Sequence, residues 1–151
     1  MSRSNPKIVV TPPSFCKSEK LKNELKQYFP NAVFNQIKEG YLSGKELIDF
    51  LADADAAIIG RDKVDAEVVS SLPKLKMISK YGVGLDSLDR DAINRARIKL
   101  GVTPGTNKRS VAELSIGFMI GLCHNMEAME LKMECGSEME DVSLQEKRWA
   151  L

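Results

Sequence analysis

The chain has 151 residues and carries 22 Lys and Arg against 21 Asp and Glu, so its charge gives no reason to expect nucleic acid or an anionic membrane as partner. Its length fits one domain with a real core. No apolar run is long enough to span a bilayer, and the polar opening MSRSNPK leads directly into a strand, so a cytoplasmic protein is expected. Cys16, Cys123 and Cys135 are odd in number and share no C-x-x-C spacing, which argues against a disulfide or zinc framework.

Short apolar strands then alternate with amphipathic helical segments. KIVVT (7–11) reads as a buried strand. SEKLKNELKQYF, from Ser18, reads as a helix with Leu21, Leu25 and Tyr28 on one face. After the break at Pro30, AVFNQ from Ala32 is a second strand. SGKELIDFLADA opens with a capping box, in which Ser43 accepts from the third helical amide and Glu46 reaches back. DAAIIG (55–60) is the third strand. Asp65 caps the helix AEVVSSL, Pro73 prevents that helix from continuing, and LKMIS starts the fourth strand. Asp89 caps RDAINRAR, IKLGV is the fifth strand, and TPGTNKR is a turn-rich loop.

This order, β-α five times over, implies a flavodoxin-like, doubly wound parallel five-stranded sheet with right-handed crossovers. A long apolar C-terminal helix follows. The segment SVAELSIGFMIGLC, Ser110 to Cys123, is apolar on nearly every side and therefore needs a cover. Met126, Met129 and Met133 continue a stripe at helical spacing, so the helix is expected to reach about Cys135 and stop at Gly136. The final stretch, SEMEDVSLQEKRWAL, reads as a loosely held tail or short helix.

The stretch ISKYGVGLDSLD, Ile78 to Asp89, raises the question of a phosphate loop. The dinucleotide fingerprint G-x-G-x-x-G needs a third glycine, and here Ser87 occupies that position after Gly82 and Gly84. The loop also follows the fourth strand instead of the first, and Asp86 would set a carboxylate beside the phosphates. A nest of backbone N–H groups at the carboxyl end of a strand suits a substrate carboxylate better, with Lys80 adding charge. The alternative is a tight strand-to-helix turn whose glycines serve only positive φ.

SKYGVGLDSLD, followed by GVTPGTNKRSVAELSIGFMIGL, resembles the N-terminal substrate-binding part of the D-isomer-specific 2-hydroxyacid dehydrogenases, most closely their phosphoglycerate-dehydrogenase-like branch. The resemblance extends to DAAIIG and VDAEVVSSLPKLKMIS and covers about residues 6–126. It implies that the amides of Val83 and Gly84 hold the substrate carboxylate, that Val83 also approaches the nicotinamide, and that Asn107 faces the substrate. Ser110 and Val111 then open a helix that crosses to the cofactor domain and helps form a dimer. On this reading residues 1–109 are a substrate-binding domain, 110–135 a crossover and dimerisation helix, and 136–151 a tail.

The same resemblance implies NAD as cofactor and a small 2-hydroxy or 2-oxo acid as substrate. The family's G-x-G-x-x-G loop, and the arginine, acidic residue and histidine of its reaction, have no counterpart among these residues. His124, the one histidine, lies in the apolar helix and reads as structural. Without a general base and a positive group at the carbonyl, hydride transfer lacks its machinery. The chain is therefore expected to be inactive alone: truncated, a split half needing a cofactor-domain partner, or a stand-alone dimerising or regulatory module. Arg61, after the third strand, reads as a solvated loop arginine with an anionic ligand as the alternative. DADAA does not mark a receiver domain, because TPPSF follows the first strand where that fold needs an acidic pair.

Overall fold

The computed structural model describes residues 6–36 and 40–125. The chain divides into two units between Thr106 and Asn107. The first unit contains, in order, β1 (Ile8–Val10), α1 (Pro13–Lys17), α2 (Glu19–Tyr28), β2 (Val33–Phe34), α3 (Gly44–Leu51), β3 (Ala56–Ile59), α4 (Ala66–Ser70), β4 (Met77–Lys80), α5 (Arg90–Arg95) and β5 (Lys99–Gly101). All pairings are parallel and the strand order is β2-β1-β3-β4-β5, the doubly wound flavodoxin-like order expected.

Period-two alternation decides which face each strand residue covers. Val9, Ala57, Ile59 and Ile78 pack with Leu47 and Leu51 of α3, Val68 and Val69 of α4, and Ala92 and Ile93 of α5. Their neighbours Ile8, Val10, Ala56 and Ile58 turn to the other face and meet Phe15, Leu21, Leu25 and Phe29. Each fully buried Leu or Ile contributes roughly 1.5–3 kcal/mol by leaving water. The first face therefore carries most of the stability: its cluster holds Leu47, Leu51, Ile59, Leu72, Ile78 and Ile93, all no more than 2% exposed.

The helix starts follow capping chemistry. Asp65 accepts from the Val68 N–H at 3.1 Å and Asp89 from the Ala92 N–H at 2.9 Å, as their spacing predicts, and Ser18 accepts from Leu21. Ser43 is the N-cap of α3, but its hydroxyl makes no cap bond, so the expected capping box does not form. The reason lies in the entry backbone: Ser43 pairs with Lys63 in a parallel bridge and Gly44 follows at φ +51, which sets the approach to the helix without the hydroxyl. On α2, Tyr28 is 73% exposed, and the C-cap residue Phe29 takes the inward position expected of it. The short helix α1 is an addition to the expected elements, and Pro13 at its first position is a favourable start.

The described part of the second unit is α6 (Lys108–Cys123), which begins two residues before the expected Ser110. Expected to run on to about Cys135, this helix has its C-cap at His124, and Asn125 adopts φ +51. Asparagine tolerates that left-handed conformation, so the backbone turns out of the helix there. Residues 126–151, with the Met126–Met133 stripe, Cys135 and the tail, lie outside the described residues. Among those described, no helix is long and apolar enough to cross a membrane.

Candidate functional site

In a doubly wound sheet the strands' carboxyl ends form the ligand edge. Here β1, β3 and β4 deliver Thr11, the segment Gly60–Asp62, and Lys80 with the glycine loop to that edge. The centre of the edge is Asp62, fully buried. Its Oδ1 accepts the Leu42 N–H at 2.7 Å, and its Oδ2 accepts the Gly60 N–H at 3.1 Å and the Thr11 hydroxyl. A buried carboxylate is tolerable only when its lone pairs are filled in this way. Gly60 is tightly enclosed, since a Cβ there would lie 3.1 Å from both Pro12 Cβ and Tyr41 Cε1, which would have to give way.

The loop begins where Tyr81 donates its N–H to the Ile59 carbonyl at 2.8 Å, continuing β4 by one bond. Gly82 then takes φ +118, a conformation costly for any residue with a side chain. At the far end Val64 donates to the Ser87 carbonyl and receives from Asp89, both at 2.8 Å. Between these anchors, the N–H groups of Val83 and Gly84 donate to no other described residue. Val83 is half-buried and Gly84 exposed. Two neighbouring N–H groups without acceptors among the described residues, beside a positive-φ glycine, are donors of the kind that bind anions where they converge.

The Lys80 ammonium lies behind this loop and donates to the Gly60 carbonyl and, at 3.4 Å, to Ser87 Oγ. Burial pushes its pKa down from the ordinary lysine value; the Asp62 and Asp86 carboxylates oppose that shift and Arg61 adds to it. Arg61 is exposed and lies over the Tyr41 ring, 5.4 Å from its centroid. Asp86 is exposed, with its carboxylate 3.3 Å from where a Gly84 Cβ would stand. Two surface hollows of about 430 and 700 Å³ lie at the start of α5 and between α4 and α5, and neither is lined by residues 80–87.

The other expected residues belong to the second unit. Asn107 is the N-cap of α6; its carbonyl accepts the Val111 N–H at 3.0 Å, its side chain makes no cap bond, and Ser110 and Val111 are exposed in the first turn. His124 is the exposed C-cap, its N–H bonded to the Ile120 and Leu122 carbonyls. Among the described residues no group of three His, Cys, Asp or Glu could hold a metal ion. Burial pushes the half-buried Cys16 thiol up, against the Asn35 backbone N–H and Lys22, which hold it down; Cys123 is exposed.

Thr11, Asp62 and Ser87 were not singled out from the sequence. A readable signal existed for the first two: a threonine just after β1 and an aspartate just past Gly60 follow adjacent parallel strands at the same edge. Their contact needed only the register.

Residues 13–145 match the D-isomer specific 2-hydroxyacid dehydrogenase, catalytic domain, family. The chain is 34% identical over 93 residues to a glyoxylate reductase of Thermofilum pendens, covering 61% of this chain and 27% of that protein. It is 27% identical over 120 residues to a hydroxypyruvate reductase of Thermotoga maritima, covering 79% of this chain and 39% of that one. The chain thus spans well under half the length of these relatives. Its structure superposes on NAD+-bound 3-phosphoglycerate dehydrogenase of Entamoeba histolytica with a TM-score of 0.66 and 31% identity, covering 78% of this chain and 39% of the other. With the parallel sheet, the glycine loop after β4 and the family match in agreement, the chain belongs to the D-isomer-specific 2-hydroxyacid dehydrogenases.

Proposed function

We propose that this chain is the substrate-binding part of an NAD-dependent oxidoreductase acting on a small 2-hydroxy or 2-oxo acid, and that the N–H groups of Val83 and Gly84 hold the substrate carboxylate. The observation that carries this reading is the pair of adjacent N–H groups lacking an acceptor among the described residues, at the carboxyl end of a central parallel strand. The similarity to a glyoxylate reductase and a hydroxypyruvate reductase, named for 2-oxo acids, supports the substrate class. Lys80 adds charge from behind the loop, and the Val83 side chain takes the cofactor side.

NAD is the expected cofactor, as in the Entamoeba relative. The glycine loop of this chain does not fit its pyrophosphate: Ser87 replaces the third glycine and Asp86 puts a carboxylate beside the loop. The proposal accordingly assigns the pyrophosphate to none of these residues. Among the described residues no base or carbonyl-polarising cation is placed at Val83 and Gly84, which supports a chain that transfers no hydride alone.

The test is a titration of the isotopically labelled chain with glyoxylate and hydroxypyruvate, following the Val83 and Gly84 amide resonances. Saturable shifts with a Kd on the order of millimolar are expected for a ligand held by so few bonds, and the neutral amide of glyoxylate should leave both signals in place. Unmoved signals would reject the carboxylate site, and NADH oxidation by the purified chain would reject the assignment of an incomplete reaction centre.

A second reading, a dimerising module, is favoured by α6, whose Leu114, Ile116, Phe118, Met119 and Leu122 are each more than half exposed. Sedimentation should show association that Phe118→Glu abolishes; a monomer at high concentration would dismiss this reading.

A further inference from the structure

We propose that Lys80 is a positioning residue for the Gly82–Gly84 loop, its ammonium tying the end of β3 to the far end of the loop through Gly60 and Ser87. The inference rests on the carboxylate-site reading above and adds what holds that site in shape.

Six residues, 81–86, separate the last residue of β4 from Ser87. Backbone bonds fix both ends: Tyr81 to Ile59 at one, and the Val64 pairing with Ser87 and Asp89 at the other. The intervening stretch has little support of its own. Val83 and Gly84 donate to no described residue, and a Cβ added at Gly82 would meet nothing within 4 Å. Lys80 provides a side-chain link across the base of this loop. Its ammonium has three protons to place, and the Gly60 carbonyl and Ser87 hydroxyl accept two of them. A partly buried ammonium that left these acceptors for solvent would also abandon a carbonyl and a hydroxyl shielded from water.

The acceptor at Gly60 is itself immobilised. Asp62 holds the Gly60 N–H, together with the Leu42 N–H and the Thr11 hydroxyl, so Gly60 is pinned at its nitrogen while its carbonyl receives Lys80. A continuous run of polar contacts therefore leads from the end of β1 through Asp62, Gly60 and Lys80 to Ser87. Lys80 acts on a ligand through the pose of the Val83 and Gly84 amides, not by touching it.

The experiment uses the full 151-residue chain as wild type, K80M, K80R, S87A and K80M/S87A. The first measurement, without ligand, is the amide order parameters of residues 82–85. They are expected to fall from about 0.8 toward 0.6 in K80M and S87A while those of β4 stay unchanged. The second is glyoxylate affinity from the same amides, expected to weaken about tenfold in K80M and about threefold in S87A, with the double variant no weaker than K80M alone. K80R keeps the charge but carries a flat, longer head, and should restore affinity only in part.

Weakened binding in K80M with unchanged loop order would make Lys80 a direct ligand and overturn the proposal. Additive effects of K80M and S87A would overturn it equally. If K80M fails to fold, S87A decides by the same two readouts, because the backbone pairing of Ser87 with Val64 is retained. Absence of glyoxylate binding to the wild-type chain would reject the carboxylate site, and the ligand-free order parameters would still decide the tether.

Discussion

Replacing Asp62 by Ala should cost more stability than any other single polar change on the ligand edge. The carboxylate is fully buried and holds three donors from separate segments: the Thr11 hydroxyl, the Leu42 N–H and the Gly60 N–H. Each donor left unpaired in a dry site costs about 1–3 kcal/mol. Truncation also releases the desolvation cost of the charge, so the net loss should be about 3–5 kcal/mol. Against a total of roughly 5–15 kcal/mol for a domain of this kind, that removes much of the margin without abolishing the fold. Asp62→Asn should lose somewhat less, because one oxygen still accepts while the new amide faces a donor. Thr11→Val removes the hydroxyl that donates to the Asp62 carboxylate and lies 3.3 Å from the Ile58 carbonyl, and should cost about 1 kcal/mol. Urea unfolding of the three variants, with slopes compared to confirm that only the midpoint moves, measures all of these. A loss below about 1 kcal/mol for Asp62→Ala would refute the reasoning, since it would mean that the three donors find other partners at little cost.

Gly82→Ala should destabilise the chain by about 1–3 kcal/mol through its φ of +118 alone, since the space around a new Cβ is open; Gly84→Ala, which meets only the movable Asp86 carboxylate at 3.3 Å, should cost less. Thermal unfolding ranks the two, and a larger loss for Gly84→Ala would contradict the backbone assignment. Ile78→Ala, in the middle of β4 and fully buried, should cost about 2–5 kcal/mol, whereas Val33→Ala on the exposed edge strand should cost under about 1. On the amino edge of the sheet, Lys74 holds the Asp53 carboxyl below its ordinary value of 3.8, and Lys76, with the Lys7 N–H, does the same for Asp55. A depressed folded pKa contributes stability that is present above the ordinary value and lost as pH falls through the lower folded one. Urea midpoints should therefore fall below about pH 4, and less steeply for Asp53→Asn/Asp55→Asn; parallel profiles would show that these pairs do not contribute.

Strand alternation was the most legible part of the structure, because a parallel sheet covered on both faces writes itself as short apolar runs at regular intervals. KIVVT, DAAIIG and LKMIS all became strands, and Asp65 and Asp89 cap as their spacing indicates. What the sequence could not convey was competition between local and distant bonds. Ser43 has the right neighbours for a capping box, yet its backbone is committed to Lys63. The glycine loop was legible as a turn able to bind an anion, but Lys80 was read by its charge alone. That its ammonium reaches back to Gly60 and forward to Ser87 depends on β3 and β4 lying side by side, with Ile59 opposite Lys80. The buried Asp62 carries no local sign of its role for the same reason. Its three donors come from positions 11, 42 and 60, which no local pattern brings together.

The unequal division of apolar residues between the two sheet faces carries a consequence for how the chain opens. On the α1–α2 side the buried hydrophobic cluster among the described residues is small, made of Ile8, Val10 and Phe15; α2 has no buried residue, and β2 is a two-residue edge strand. Thermal fluctuations should release this flank first, as a cooperative unit of its own, while β3, β4 and the helices over them persist. Hydrogen exchange would then show protection rising from β2 toward β4. The strand carrying the glycine loop belongs to the slow-exchanging part, so the loop proposed to cradle a carboxylate would survive partial unfolding that already exposes the opposite border of the sheet.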